Sequence, residues 1–491
     1  MKKILFLNPP LTREERGSAL SAAVACAIPY GLISLASAVR NAGYETTLID
    51  ATNLEYSIEE TVDRVLAEKP EYVGISTVTL SIDKSAEVAR LLKQKNRDVK
   101  IIVGGAHLSS VPEETMVSFP HFDVGVIGEG EETIVDLLKV LENNIGLGNV
   151  KGIIYREGDK VRRTENRPLL KDLDCLSMPA WDLLGDNMAD FYRPSAPSYI
   201  RLPSTTIVTS RGCPRNCIFC NSKAIFGGLR CFSAGYVIRM LRHLTDKYRI
   251  RDISIYDDNF IFFKDRIKKI CNAIIDEKID ITWSCYSRVD QGDEELFKLM
   301  KKAGCWQISY GIESGSQRIL DFMRKNITLE KIVDTLTVTK KAGLRTRGFF
   351  MIGNLKESRD SILETINFMK KIPLDDFHFT YFTPLPGTEA FNIAEKYGKF
   401  DKTYRKMSMQ YPVFIPDGLT AREMETFSKT AYRLFYFRPK IIASYIGVLI
   451  KYPNNIKRLL NALRALLSRI FLTNNLRIQE KPKARIKSNL I

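Results

Sequence analysis

At 491 residues the chain is longer than a single compact core, so two or three domains are expected. Apolar residues at 45% and charged residues at 26% are ordinary for a globular protein and exclude a disordered or fibrous chain. The net charge is +16, but Arg433 onward holds thirteen Lys/Arg against the single acid Glu480; this tail carries most of the excess, and a uniformly basic surface is excluded.

Met1-Lys2-Lys3 runs straight into Ile4–Leu7, too short for a secretory h-region. With nine cysteines, an odd number, a reducing cytoplasm and metal-ligating thiols are expected rather than a disulfide framework. Strand and helix patterns then alternate over residues 1–145. Runs 2–8, 45–50, 72–77, 100–105 and 123–127 are rich in Val and Ile, with helical spacing at 81–95 and 131–141 between them. Residues 18–39 are uncharged and about span-length, but Ala/Ser-rich and broken at Pro29-Tyr30-Gly31, so a loop and then a helix over 31–41 are expected. This pattern predicts an α/β, doubly wound, flavodoxin-like domain. Small residues gather at its strand ends: Ser76-Thr77, Gly104-Gly105-Ala106-His107 and Gly128-Glu129-Gly130-Glu131. Ligands of such sheets lie outside those ends, where small residues let a bulky group approach the backbone.

Residues 146–200 read as a connector with a hairpin over 152–163. Over 201–395 a second series begins, with strands expected at 205–209, 252–256, 281–286, 307–312, 345–352 and 376–382. Six βα-type units rather than eight suggest an open, partial barrel with catalytic groups at the carboxyl ends of its strands. A helical, basic region spans 396–491. In it Ile456, Leu459, Leu460, Leu463, Leu466, Leu467 and Ile470 share one face, and Lys457, Arg458, Arg464 and Arg469 fall largely elsewhere. Peripheral docking on a membrane surface and packing on the barrel both suit this tail. Nucleic acid is disfavoured, since Phe471 is the sole aromatic after Tyr452. Residues 479–491 read as disordered.

The most informative segment is Ser210-Arg211-Gly212-Cys213-Pro214-Arg215-Asn216-Cys217-Ile218-Phe219-Cys220, directly after the first strand of the second series. Three thiolates can hold three irons of a cubane and leave the fourth open to an outside ligand. A structural zinc would want a fourth protein ligand, for which only Cys231 is near. The spacing and Phe219 resemble the C-x3-C-x-aromatic-C motif of the radical S-adenosylmethionine (SAM) superfamily. Tyr256-Asp257-Asp258-Asn259, Ser287-Arg288-Val289-Asp290, Gly311-Ile312-Glu313-Ser314, Gly348–Gly353 and Pro384–Thr388 follow later strands. They are similar to their counterparts in the radical SAM subgroup with an N-terminal cobalamin-binding domain. The likeness covers most of residues 1–390.

The resemblance implies a [4Fe–4S] cluster on Cys213, Cys217 and Cys220, with SAM on its open iron. It implies SAM contacts from Phe219 (adenine), Asp257, Ser287, Arg288 (a carboxylate, in two parallel bonds) and Glu313 (ribose hydroxyls). It implies cobalamin against Ser76, Thr77, Gly104, Gly105, His107, Gly128, Glu129, Gly130 and Glu131. No Asp-x-His-x-x-Gly is present, so no protein histidine on cobalt is implied, and a packing or hydrogen-bonding role is preferred for His107. The expected activity is C-methylation: a 5′-deoxyadenosyl radical activates an unactivated carbon of a small substrate, and the methyl group arrives through methylcobalamin. The tail hints at a lipid-like substrate. The alternative is a radical oxidative cyclase acting without methyl transfer; a cobalamin- or redox-sensing binding protein is the less favoured third reading. An electron donor such as flavodoxin or ferredoxin is implied as partner.

Overall fold

The computed structural model describes residues 2–17, 25–143, 145–185, 188–195, 198–453 and 456–471. Residues 479–491 and the side chains of Lys457 and Arg458 lie outside that set.

Strands β1 (Lys3–Asn8), β2 (Glu45–Asp50), β3 (Tyr72–Ser76), β4 (Lys100–Gly104) and β5 (Val124–Val126) pair in parallel in the order β2-β1-β3-β4-β5. Their period-two alternation feeds two cores. Leu5 and Leu7 of β1 join one cluster, while Ile4 and Phe6 join the other. Helices Tyr30–Asn41 and Glu131–Glu142 cover the second cluster with Leu32, Ala36 and Val39 and with Ile134, Leu137 and Leu138, the spacing of one helical face. The strand order reverses between β1 and β3, which makes the crevice beyond their carboxyl ends the ligand position of such a sheet. The expected hairpin forms as β6 (Ile153–Glu157) and β7 (Lys160–Arg163). It does not stand apart as a connector piece; it pairs antiparallel with β5 and extends the first sheet to seven strands.

The second series opens with β8 (Ser204–Ile207). A two-residue antiparallel bridge, β9 (Ser210–Arg211) with β10 (Arg230–Cys231), follows it. Then come β11 (Asp252–Ile255), β12 (Thr282–Ser287), β13 (Cys305–Glu313), β14 (Arg345–Ile352) and β15 (Asp376–Tyr381). The sheet runs β15-β14-β13-β12-β11-β8, parallel throughout, as the half-barrel expected from six units. Ile308, Tyr310 and Ile312 of β13 join the core under the outer helices. Polar Ser254, Ser284, Ser309 and Arg347 point to the lumen, where Ser254 and Ser284 hydroxyls lie 3.2 Å apart and Arg347 reaches Ser198 Oγ at 2.9 Å.

Helices Ala421–Tyr436, Pro439–Lys451 and Ile456–Phe471 pack on the open edge at β15. Tyr432 Oη accepts from Phe379 N at 3.2 Å, Tyr436 Oη donates to Phe377 O at 3.1 Å, and Arg469 Nη2 donates to Phe379 O at 3.4 Å. Side chains thereby serve backbone groups that an edge strand leaves bare. Arg469, which sequence places off the apolar face, is buried, its guanidinium 4.9 Å from the centre of the Tyr432 ring. Among the described residues, no helix is long and apolar enough to cross a membrane.

Candidate cofactor-binding site

The cysteine loop is an excursion between β9 and β10 with a buried polar base. Asp257, at the end of β11 and fully buried, accepts from Thr209 N at 2.5 Å, Thr209 Oγ1 at 2.6 Å and Ser210 N at 3.1 Å. Arg266 donates to Thr209 O at 2.8 Å and Phe232 O at 2.7 Å from the other side. Gly212 starts the loop at φ +82°, and a Cβ there would meet Gly228 O at 2.6 Å, so only glycine fits. Further on, Ile218 N donates to Met323 O and Ile218 O accepts from Ala390 N. Phe219 is half-buried against the barrel core.

Burial raises the thiols of Cys213 and Cys220, the latter to about 11, with repulsion from Asp258 and the neighbouring cysteines adding to it. Arg288 offsets part of this at Cys213. Ionisation therefore falls to a bound metal. Among the described residues no three His, Cys, Asp or Glu side chains close on one point as ligands of a single ion. Cys213, Cys217 and Cys220 are all free, and as thiolates each could take a different iron of a cubane.

Beside the loop, one polar chain joins the barrel strand ends to the cysteines. Glu313 Oε1 pairs with Lys325 Nζ at 2.7 Å, and Lys325 O accepts from Arg288 Nη2 at 2.7 Å. Arg288 Nε pairs with Asp290 at 3.0 Å, and Asp290 also holds Arg215 of the loop at 2.8 Å. Glu313 is held at φ +71°, a left-handed conformation that costs about 1–3 kcal/mol and clusters at ligand sites. Gly311 makes room for the pair: a Cβ there would lie 2.6 Å from Glu313 Oε1. Ser287 Oγ approaches Asn259 Oδ1 at 3.4 Å, and the buried Asn259 Nδ2 has no partner.

Two of the expected SAM contacts are engaged by the protein itself, and one member of the polar chain carried no signal in the sequence. The Asp257 carboxylate fastens the loop base. Arg288 does not present a free fork, because Nε and Nη2 are engaged by Asp290 and Lys325. Lys325 was missed altogether. It lies twelve residues beyond Glu313, past a helix, and no local pattern announces it.

On the first sheet, Gly105 at φ +104° sits so close to Thr77 that a Cβ would meet Thr77 O at 2.6 Å. Thr77, fully buried, turns N and Oγ1 to Gly104 O at 2.7 and 2.8 Å. It locks β3 to β4. His107 is buried, with Nδ1 3.2 Å from Thr79 Oγ1 and its ring edge-on to Tyr404, the packing role preferred from sequence. Burial lowers it to about 4, so it is neutral at pH 7, and its Nε2 has no partner. Ser76 is half-buried at the end of β3. A Cβ on Gly128 (φ +76°) would meet nothing within 4 Å, while one on Gly130 would meet Leu35 at 2.9 Å. Glycine backbone and open space at this edge fit a large flat cofactor.

The two acids of Gly128–Glu131 go elsewhere. Glu129 pairs with Arg211 of β9 at 2.9 Å and Arg230 of β10 at 2.9 Å, and it accepts from Leu170 N at 2.9 Å. Glu131 pairs with the same Arg211 guanidinium at 2.5 Å. All four side chains are largely buried. Glu129 and Glu131, expected beside cobalamin, form an ionic clamp between the first sheet and the cysteine loop. An acid at a strand end signals ligand or partner equally well in sequence; the partner, Arg211, is part of the cysteine motif itself.

A family model for the B12 binding domain matches residues 19–138, and one for the radical SAM superfamily matches residues 207–369. The chain is 35% identical over 443 residues to "Uncharacterized methyltransferase PH0819" of Pyrococcus horikoshii, spanning 90% of this chain and 94% of that one. It is 25% identical over 420 residues to an anaerobic magnesium-protoporphyrin IX monomethyl ester cyclase of Rubrivivax gelatinosus, spanning 83% of this chain and 73% of the cyclase. Among solved structures, the cobalamin-dependent SAM radical enzyme OxsB shares the fold with a TM-score of 0.72 at 18% identity, over 96% of this chain and 72% of OxsB. The chain belongs to the radical SAM enzymes that carry an N-terminal cobalamin-binding domain, and its cofactors are those of that family: a [4Fe–4S] cluster, SAM and cobalamin.

Proposed function

We propose that this protein is a cobalamin-dependent radical SAM C-methyltransferase. The carrying observation is the clamp of Arg211 and Arg230 on Glu129 and Glu131, which ties the strand ends of the first sheet to the cysteine loop. In this reading Cys213, Cys217 and Cys220 hold the cluster. Phe219, Ser287, Arg288, Glu313 and Lys325 border SAM, and Ser76, Gly104, Gly105, Gly128 and Gly130 give backbone room to cobalamin. When bound, the cluster with SAM supplies a radical able to take hydrogen from an unactivated carbon, and cobalamin supplies a methyl carrier.

The chain's own contribution is placement and charge. Asp257 and Arg266 fix the loop base, Asp290 orients Arg288 and Arg215 together, and strained Glu313 offers carboxylate acceptors. A low-potential electron donor of the flavodoxin or ferredoxin class is required for reductive cleavage. Anaerobically reconstituted protein should carry about four irons per chain and one cobalt. With methyl-labelled SAM and reductant it should pass label to product while 5′-deoxyadenosine and S-adenosylhomocysteine accumulate. The similarity to the cyclase favours a second reading, radical ring closure, in which 5′-deoxyadenosine forms and no label leaves SAM.

A further inference from the structure

A cavity of about 630 Å³ runs from the barrel lumen past β15 to the tail helices, within the ~300–1,000 Å³ range of small-molecule sites. Its inner end is lined by Tyr286, Phe349 and His378, and its outer end by Ile446, Leu460 and Leu463. Strand register fixes how this inner end relates to the cofactor side. Phe349 pairs with Gly311 on one side and His378 on the other, and Gly311 precedes Glu313 by two residues on the same strand. Glu313 follows across a register shift and pairs with Phe350, the neighbour of Phe349, so the cavity begins within one lumen layer of Glu313, at most roughly 7 Å at about 3.3 Å per residue.

Its polarity is graded. Around the inner end Arg347 is already neutralised by Asp376 at 2.6 Å. The imidazole of His378 has no hydrogen-bond partner among the described residues and is held neutral, since burial lowers it to about 4. Arg16 lines the cavity from the first domain and keeps a buried, unpartnered Nε. These groups suit one polar end of a ligand. Outward the walls become aliphatic, and Ile442, Ile446, Ile456, Leu460 and Leu463, which line the cavity, are also 46–57% exposed. An apolar passage ending in an apolar, solvent-facing mouth does not suit a compact ionic metabolite.

We infer that this cavity takes the hydrocarbon chain of a long-chain amphiphile, its polar end at His378 and Arg16 and its chain between the tail helices. The inference deepens the methyl-transfer reading and rests on it only for what happens at the inner end of the chain; chain binding itself is independent of it. The occupant is chemically an isoprenoid or fatty-acyl chain, arriving free in solution or from a bilayer.

The test uses full-length, anaerobically reconstituted protein and the fluorescent C18 fatty acid cis-parinaric acid, displaced by saturated fatty acids of increasing length. Saturable binding is expected. Competitor affinity should rise about fourfold per methylene, equivalent to ~0.8 kcal/mol, and level off once the cavity is filled. Ile446→Glu and Leu463→Glu should each weaken binding at least tenfold while iron and cobalt contents stay unchanged. Ile450→Glu, on the exposed face and outside the cavity lining, should leave binding intact. Flotation with phosphatidylcholine vesicles, lost in the same two cavity variants, would assign the bilayer as source; binding from solution without flotation would assign the free amphiphile. Absence of saturable binding, absence of chain-length dependence, or equal weakening by Ile450→Glu would overturn the inference. None of these readouts involves SAM turnover, so failure here leaves the methyl-transfer reading standing, and failure of the labelled-methyl assay leaves chain binding standing.

Discussion

The carboxyl ends of the two parallel sheets solve different recognition problems. At the first sheet most side chains are engaged with one another: Thr77 with Gly104, His107 with Thr79, Glu129 and Glu131 with arginines of the other domain. What remains there is glycine backbone and space. At the second sheet a chain of charges, Glu313–Lys325 and Arg288–Asp290–Arg215, stands beside the thiols, with one residue held in a strained conformation. A large, flat ligand needs close backbone approach over a wide area, so projecting side chains would obstruct it. A small zwitterionic ligand needs a few charges at fixed distances, so side chains and strain are retained.

Breaking either side should give distinct signatures. The largest effect is expected from Cys217→Ala: iron content should collapse and 5′-deoxyadenosine formation cease, while bound cobalt is kept. Loss of both metals together would contradict the separation of the two sites. Next comes the clamp. Arg211→Met leaves Glu131 buried without its partner and should lower stability by about 3–5 kcal/mol, read as a depressed midpoint in denaturant unfolding. The double variant with Glu131→Gln should recover part of that loss, which a merely local packing defect would not.

Gly105→Ala forces a Cβ onto Thr77 O in a left-handed conformation. It should cost about 1–3 kcal/mol and reduce cobalamin retention with iron content unchanged. Lys325→Met should raise the KM for SAM on the order of tenfold, about 1.4 kcal/mol, with cobalt content untouched.

A pH slope tests the first sheet alone. His107 titrates near 4 in the fold against an ordinary value of 6.5. Above pH 6.5 it is neutral in both states and the full stability is present. As pH falls from 6.5 toward 4 the unfolded chain takes the proton first, so stability declines, by about 2 kcal/mol at pH 5. His107→Gln should flatten that part of the profile in unfolding measurements between pH 4 and 7.

Strands were legible because their Val/Ile runs and glycine ends are local signals, and β2 and β14 fall where the pattern puts them. The cysteine motif was legible for the same reason, being eleven consecutive residues with one chemistry. Pairings over distance were not. Lys325, Arg230 and the inward turn of Arg469 depend on where separate elements meet, and charge alone does not say whether an arginine meets water, a carboxylate or a carbonyl. The tail illustrates it: its aliphatic face was visible, but its seat against β15 comes from tyrosines whose hydroxyls cap an edge strand, which no periodicity encodes.

That seat has a mechanical consequence. A closed barrel is zipped all round by a β ladder, and opening it breaks many backbone hydrogen bonds at once. Here one side of the wall is a seam held by a few side-chain bonds to Phe377 and Phe379, each worth only about 0.5–1.5 kcal/mol net. With the rings of Tyr432, Phe435 and Tyr436 packed on Phe377, the wall on this side is only as continuous as its side chains: a substitution there bares a strand edge without breaking any β ladder, while the strands that carry the cysteine loop and Glu313 keep their register.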